Sequence, residues 1–286
     1  MHIIALATCH NRKQCTLNAL MNLYNQKLPI DVTLSIVIVD DGSSDGTSNA
    51  IFANFPDVKI IQGDGNLFWS GGMRFGWDQW VKNQEIDALL VFNDDIYLNN
   101  NAISELIYVL NYAQSQFGPL VVISGAFTDK TGEYCTYGGS KRSSLWNKMK
   151  FSLVNPNGAP QKIDVPNMNC TLISSETLSK IGFLADYFSH AGADYEYGLR
   201  TCEAGGEVWM TGGYIGKCDR NKVDLSIGSR QRLYEFLYGT KSMSPKNRAK
   251  YFSQYGGVFW PVFWIFPYVR LALLTVFDIV FNNFKK

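Results

Sequence analysis

Four times between residues 1 and 115 an apolar run stops at a polar cluster and gives way to a segment with helical spacing. "HIIALAT", "LSIVIVDD", "VKIIQ" and "DALLVF" are short, apolar and rich in β-branched residues, the signature of buried strands. After the first, "RKQCTLNALMNLYNQ" sets Leu17, Leu20, Met21 and Tyr24 at helical spacing. "SNAIFANF", "GGMRFGWDQWVKN" and "NAISELIYVLNYAQ" repeat that period, the last behind an asparagine run suited to capping. Such alternation predicts an α/β chain with a mainly parallel sheet and helices on both faces. Ligands of open parallel sheets sit outside the carboxyl ends of the strands. Thr8 to Arg12, Asp40 to Thr47 and Asn93 to Asp95 all follow strands, so one cleft is expected to collect them.

After about residue 115 the alternation weakens. "GPLVVISGAF" reads as a strand, and "GEYCTYGG" and the stretch to Val165 as strands and loops. "SSETLSKIG" reads as a helix with a serine cap, and "ADYEYGLRTCEAGG" as a helix that stops at a glycine pair. The reading divides the chain into a nucleotide-binding half (1–115), a mixed half built against it (116–220), a helical extension (221–255) and an apolar segment (256–286).

That last segment, "GGVFWPVFWIFPYVRLALLTVFDIVFNNFKK", is about long enough to cross a bilayer. Pro261 and Pro267 interrupt it, and spanning would bury Arg270 and Asp278 at a cost of about 3 kcal/mol each. A pair of interfacial helices is expected instead, with aromatics in the headgroup layer and Lys285 and Lys286 toward anionic lipid. A soluble core helix pair is the alternative.

With 26 Lys+Arg against 25 Asp+Glu, no field favours nucleic acid, and none is expected as a partner. The six cysteines form no CxxC pair and read as reduced thiols of a cytosolic compartment. The N-terminal "MHIIALATCHNR" has no basic region before a long apolar run, so no secretory signal is expected.

Each polar cluster has two readings. In "VDDGSSDGT", Asp41 suits a nucleobase imide or a ribose hydroxyl, but the same residues make an acidic turn that caps the next helix. In "NDD" (Asn93, Asp94, Asp95) the carboxylates suit Mg²⁺ or Mn²⁺ when a diphosphate supplies further oxygens, or complement a helix dipole. In "GDGNLFWSGGMRFGW", Asn66, Trp69 and Arg74 could hold a sugar or a phosphate, or the glycines could mark a packing corner. In "HAGADYEYGLR", Asp194 and Glu196 open a helix, where acids commonly cap, and His190 alone is more often satisfied than a ligand.

Taken in order, these clusters resemble glycosyltransferase family 2, whose fold is GT-A, over roughly residues 1 to 220. "VDDGSSDGT" is similar almost letter for letter to the family's V-D-D-G-S-x-D-G-T. "ATCHNR", "GNLFWSGGMRFG", "FNDDIYL" and "ADYEYGLRTCEAGG" resemble its first-strand, glycine-rich, DxD and catalytic-base segments, the glycine-rich one in the manner of bacterial polysaccharide and rhamnosyl transferases. The resemblance implies nucleotide-sugar binding by Thr8, Asn11, Arg12, Asp41, Asn66, Trp69, Gly71, Arg74, Asn93 and Asp94. It implies a divalent cation (Mn or Mg) on Asp95 and a general base at Asp194. It implies inverting sugar transfer, with a lipid-linked saccharide acceptor in bacterial surface polysaccharide synthesis. The place of action would be the cytoplasmic face of the cell membrane, peripherally, with room for an oligomer. Two positions depart from the pattern: Asn93 stands at the first DxD acid, and Cys218 where many relatives carry a metal-ligating histidine. Ala193 also replaces the acid before the base. A nucleotidyltransferase is the rival enzyme, although "TCHNR" lacks the glycine-rich first loop it needs. A non-catalytic nucleotide-sugar or lipid-binding module is the rival of another class.

Overall fold

The computed structural model describes residues 1–188, 190–220, 228–239 and 242–283. The alternation appears as β1 (His2–Cys9), α1 (Lys13–Tyr24), β2 (Thr33–Asp40), α2 (Thr47–Asn54), β3 (Lys59–Gln62), α3 (Phe68–Gln79), β4 (Ala88–Phe92), the short β5 (Tyr97–Leu98) and α4 (Ala102–Phe117). The mixed half follows with β6 (Val121–Thr128), β7 (Cys135–Tyr137), β8 (Gly139–Arg142), β9 (Phe151–Val154), β10 (Gln161–Lys162), β11 (Val165–Pro166) and β12 (Cys170–Ser174). Then come α5 (Ser175–Ile181), α6 (Ala193–Glu203), β13 (Glu207–Lys217), α7 (Ser229–Tyr238), α8 (Pro245–Tyr255) and α9 (Trp260–Asn283).

One large sheet runs β10-β13-β6-β12-β4-β1-β2-β3, with β5 and β7 at its margins, and a small antiparallel sheet runs β11-β8-β9. β3, β2, β1 and β4 are mutually parallel. β12 is inserted antiparallel between β4 and β6, and β13 returns parallel to β6. The core strands are apolar on both faces: Ile3 to Ala7 and Ala88 to Phe92 have no exposed surface. That is what a sheet covered by helices requires.

Glycines of α3 explain how closely it lies on the sheet. A side chain at Gly72 would fall 2.8 Å from the Thr8 Cβ, and one at Gly76 2.7 Å from the Leu6 and Val39 methyls. The "SGGMRFG" glycines therefore bring the start of α3 against the ligand end of β1. The expected asparagine cap of α4 is not formed: Asn101 precedes the helix, but its side chain makes no capping bond and donates weakly to Glu105 instead. The serine cap of α5 is formed, with Ser174 accepting from the Thr177 amide.

The C-terminal segment is one helix, not the expected pair. α9 runs continuously from Trp260 to Asn283 with Pro267 inside it. Pro261 stands in its first turn, where a missing N–H costs no helical bond. Residues 260–280 have a mean hydropathy of 1.7 and only 6% of that stretch is buried, so the helix is long and apolar enough to cross a membrane by length and composition. The core-helix alternative does not fit such exposure. The helix packs on α7 and α8 through one side, where Trp264 donates to the Pro245 carbonyl and Tyr268 meets Phe236. Arg270 and Asp278 are exposed. The expectation for Lys285 and Lys286, and part of the 221–255 extension, lie outside the described residues.

Candidate active site

The carboxyl ends of β1 and β4, the loop after β2, the start of α3 and the start of α6 surround one cleft of about 700 Å³. Among the expected residues, Thr8, Arg12, Asp41, Trp69, Asn93, Asp94, Asp95 and Asp194 line it. Asn11, Asn66, Gly71 and Arg74 do not. Asn11 accepts from the Ser44 amide and so ties two loops together. Asn66 turns back on Asp64. Gly71 has Leu67 and Arg74 as its nearest neighbours. Arg74 donates to the Ser70 hydroxyl and to the carbonyls of Ala185 and Phe188, and thus anchors the chain that leads to α6.

Both acids of "VDDG" serve the architecture. Asp40 is buried and accepts from the Ser43 amide at 2.9 Å and from the Ser48 hydroxyl. The Asp41 carboxylate accepts from the amides of Gly65, Leu67 and Phe68 at 2.8, 3.0 and 3.1 Å, so it caps the start of α3 from outside the helix. The turn reading of this motif holds, and Asp41 also lines the cleft, where a ligand would reach it.

At the end of β4 the adjacent acids share a cation. Arg12 Nη1 lies 2.9 Å from Asp94 and Nη2 3.0 Å from Asp95. Asp94 is almost fully buried and takes a further bond from the Thr16 hydroxyl. Burial lifts its pKa to about 6 against the opposing pull of Arg12, and the neighbouring Asp95 adds to the rise. Asp95 is the more exposed of the two. Asn93 accepts from the Trp69 indole at 2.9 Å, which fixes the indole at the cleft wall.

Cys218 is carried beside Asp95 by the end of β13, where Gly216 pairs with Leu98 of β5 and the Cys218 amide bonds Thr128. Its sulfur is 4.0 Å from the Asp95 carboxylate and 3.6 Å from the Asn169 amide nitrogen. Burial, reinforced by Asp95, pushes the thiol up to about 12, so it stays protonated at neutral pH. A neutral thiol is a poor ligand for a hard cation. Among the described residues, no three His, Cys, Asp or Glu side chains gather as a metal centre. The donor set fits a cation that arrives on a diphosphate and takes one protein carboxylate, Asp95, better than one caged by protein.

At the α6 end of the lining, Gly192, at a φ of 92°, turns the chain into the helix. Asp194 follows in the first turn, accepting from the Tyr195 amide at 2.9 Å and from the Asn167 side chain. Desolvation raises its pKa to about 6. Glu196, two residues on, faces the other way. It is buried, pairs with Arg200 at 2.9 Å and accepts from the Tyr255 hydroxyl at 3.1 Å.

Other lining residues are His10, Phe68, Met168, Asn169 and His190. Met168 and Asn169 precede β12, and the antiparallel course of that strand brings its start to the carboxyl end of β4, where Asn169 accepts from the Asn93 amide. A polar "NMN" before a short apolar run was the available signal, but it points to the cleft only once the strand direction is known.

The fold, with an acidic cleft at the carboxyl ends of a mainly parallel sheet, defines an α/β protein whose ligand site is expected at those strand ends. The sequence profile described as Glycosyl transferase family 2 matches residues 5–174, more than half of the chain, and the chain belongs to that family. It is 24% identical over 169 residues to the low-salt glycan biosynthesis hexosyltransferase Agl10 of Haloferax volcanii; the match covers 58% of this chain and spans about half (52%) of that relative. Among solved structures it resembles the mannosyltransferase PcManGT of Pyrobaculum calidifontis in complex with GDP-Man and Mn²⁺ (TM-score 0.56, 12% identity, 97% of this chain and 75% of that one). It also resembles S. aureus TarS 1-349 in complex with UDP-GlcNAc (TM-score 0.53, 12% identity, 82% and 64%). These likenesses establish the GT-A fold.

Proposed function

We propose that the protein transfers a hexosyl unit, with inversion, from a nucleotide-sugar donor to a saccharide acceptor. The observation that carries this reading is that Asp194 and the Asp94–Asp95 pair, more than ninety residues apart in sequence, line one cleft. The half formed by residues 1–115 binds the donor. Thr8, Asp41, Trp69 and Asn93 surround its nucleoside and sugar, and Arg12 offers a fixed positive charge to its diphosphate. Residues 116–220 supply the base. Asp194 takes the proton of an acceptor hydroxyl, the oxygen forms a bond to the anomeric carbon, and the bond from that carbon to the diphosphate breaks with its electron pair leaving on phosphate. When bound, Mn²⁺ or Mg²⁺ on Asp95 neutralises charge on the diphosphate.

A pKa near 6 leaves Asp194 ionised at neutral pH yet more basic than an ordinary carboxylate, which suits a general base. The exposed apolar face of α9 supports an acceptor presented at a membrane surface, a lipid-linked saccharide of a bacterial surface polysaccharide pathway, with the protein on the cytoplasmic side. A thermal-shift panel of UDP-, dTDP-, GDP- and CMP-sugars with and without Mn²⁺ tests the donor reading, because a ligand of the native state raises the melting temperature by mass action. One nucleotide family should stabilise the protein, more so with Mn²⁺. A panel with no response would refute the reading.

A further inference from the structure

The hairpin between β8 and β9 meets the chain where α9 begins. It reads "KRSSLWNKMK" over residues 141–150, with four basic side chains and no acid. The Ser143 amide closes it on the Lys150 carbonyl at 2.9 Å, and the Lys150 amide bonds the Asn147 carbonyl at 3.0 Å. Arg142 Nε donates to the Lys148 carbonyl at 3.1 Å. None of Lys141, Arg142, Lys148 and Lys150 forms an ion pair with an acid among the described residues. Arg142, Ser143, Ser144, Leu145 and Lys148 line a hollow of about 420 Å³. At the tip, Leu145 is 93% exposed and Trp146 70% exposed. Single exposed apolar residues are ordinary, but these two are adjacent and continue into a larger apolar surface. Trp146 meets Phe259 edge-on at 5.6 Å, and a side chain at Gly257 would fall 3.0 Å from the Lys148 Cδ. Val258 and Phe259 are exposed in turn, and the exposed apolar length of α9 follows directly. At its base the hairpin leans on the start of α6, where Phe151 meets the ring of Tyr195, next in sequence to Asp194, edge-on at 5.3 Å.

We propose that the β8–β9 hairpin is a contact for an anionic bilayer surface. Leu145 and Trp146 enter the headgroup layer beside Val258 and Phe259, a layer that suits an indole. Arg142 and Lys148 take a lipid phosphate in the hollow, and Lys141 and Lys150 add attraction to the anionic surface. The occupant is a lipid surface because the charge is of one sign, the tip is apolar, and the patch is continuous with a helix long and apolar enough to cross a membrane. This inference rests on the reading of α9 as a membrane face. It adds which end of the helix lies beside the headgroups and which lipid chemistry meets the protein there. Two apolar side chains and a few cations bind only marginally alone, so the hairpin orients a chain that α9 holds. Through Phe151 and Tyr195 the surface contact is tied to the wall that carries Asp194.

The test is hydrogen exchange of the full chain, read by mass spectrometry, on vesicles of phosphatidylcholine alone and of phosphatidylcholine mixed with phosphatidylglycerol. Residues 260–280 should be protected on both. Residues 143–150 should exchange about fivefold more slowly on the mixed vesicles than on the neutral ones, the effect of one cation held at an anionic surface. Lys148→Glu with Lys150→Glu, which leaves two cations against two acids in the hairpin, should abolish that difference. Leu145→Ser with Trp146→Ser should abolish it too, while residues 260–280 stay protected. Both double variants should melt at the wild-type temperature, which shows that they are folded. Equal exchange of residues 143–150 on the two vesicles, or a slowing that either double variant keeps, overturns the hairpin contact and leaves α9 standing. Slowing by inorganic phosphate, or by higher protein concentration without vesicles, assigns the patch to a free anion or a second copy and overturns the contact as well. Residues 260–280 left unprotected on both vesicles overturn the membrane reading and the hairpin contact with it.

Discussion

The two walls of the cleft hold their acids in opposite ways. On the donor wall every acid is matched by protein: Asp41 by three amides, Asp94 and Asp95 by Arg12. On the acceptor wall Asp194 has one amide, one side-chain amide and no ion pair among the described residues. A wall whose charges are balanced internally is pre-formed and sequence-local, because the partners sit at the ends of neighbouring strands. Asp94 and Asp194 both rise to about 6 through burial, but Asp94 faces a fixed cation and Asp194 does not, which leaves Asp194 the carboxylate free to take a proton from a neutral ligand. In the proposed reading, donor binding and proton transfer are divided between the two walls.

The largest effect expected from this division is on the acceptor wall. Asp194→Asn should lower transfer by roughly a hundredfold to ten-thousandfold, the usual contribution of a positioned base, while calorimetric donor affinity stays unchanged. Glu196→Gln should leave transfer near wild type in the folded fraction. It should instead destabilise the fold by about 3 kcal/mol, since it strands the Arg200 charge and weakens the link from α6 to Tyr255. Chemical denaturation measures this. If Glu196→Gln removed transfer and Asp194→Asn did not, the two walls would have been matched with the wrong residue.

On the donor wall, Asp95→Ala should remove the Mn²⁺-dependent part of nucleoside diphosphate affinity, on the order of ten- to a hundredfold for a lost bond to a charged group, with the fold intact. Unchanged affinity would reduce Asp95 to a structural partner of Arg12. Deleting the chain from Val258 should release the protein from anionic liposomes in a flotation assay and change donor affinity by less than about twofold, because the main packing of α9 among the described residues is on α7 and α8, and none of its residues lines the cleft. If the full-length protein ignores liposomes, the exposed face of α9 serves another surface.

The smallest effect is thermodynamic. The native pKa of Asp194, about 6, lies above the ordinary aspartate value of 3.8, so the native state binds more protons between those values. Stability therefore falls as pH rises through that window and stays lower above it. Asn at this position should add about 1–3 kcal/mol near pH 8 and nothing near pH 4, read from urea midpoints. A gain that does not depend on pH would mean that desolvation of the carboxylate is not its cause.

The donor wall was legible in the sequence because its elements follow a local rule: apolar run, polar cluster, helix. Asp41, Asn93, Asp94 and Asp95 all follow from the position of a strand end. Arg74 shows the limit of that rule, since a cation in a glycine-rich segment suggests an anion, yet its partners are carbonyls 111 and 114 residues further on. The acceptor wall escaped the rule almost entirely. It is assembled from Met168 and Asn169 before β12 and from the start of α6, neither of which is the carboxyl end of a parallel strand. The antiparallel β12 was hidden for a related reason: five buried residues in "CTLIS" announce a strand but not its direction. For α9, Pro267 suggested a break, but an interior proline removes one hydrogen bond without ending a helix in which the other turns remain intact.

The pH dependence of transfer tests the role of Asp194 most directly. With a saturating donor and kcat/KM for the acceptor followed from pH 5 to pH 8, the wild type should lose activity below about pH 6, where Asp194 takes up the proton that disables it and Asp94 titrates as well. The residual rate of Asp194→Asn should fall less steeply with acid, keeping only the part of the limb that belongs to Asp94. A wild-type profile that stays flat to pH 5, or an Asp194→Asn profile as steep as the wild type's, would contradict the assignment of Asp194 as the base.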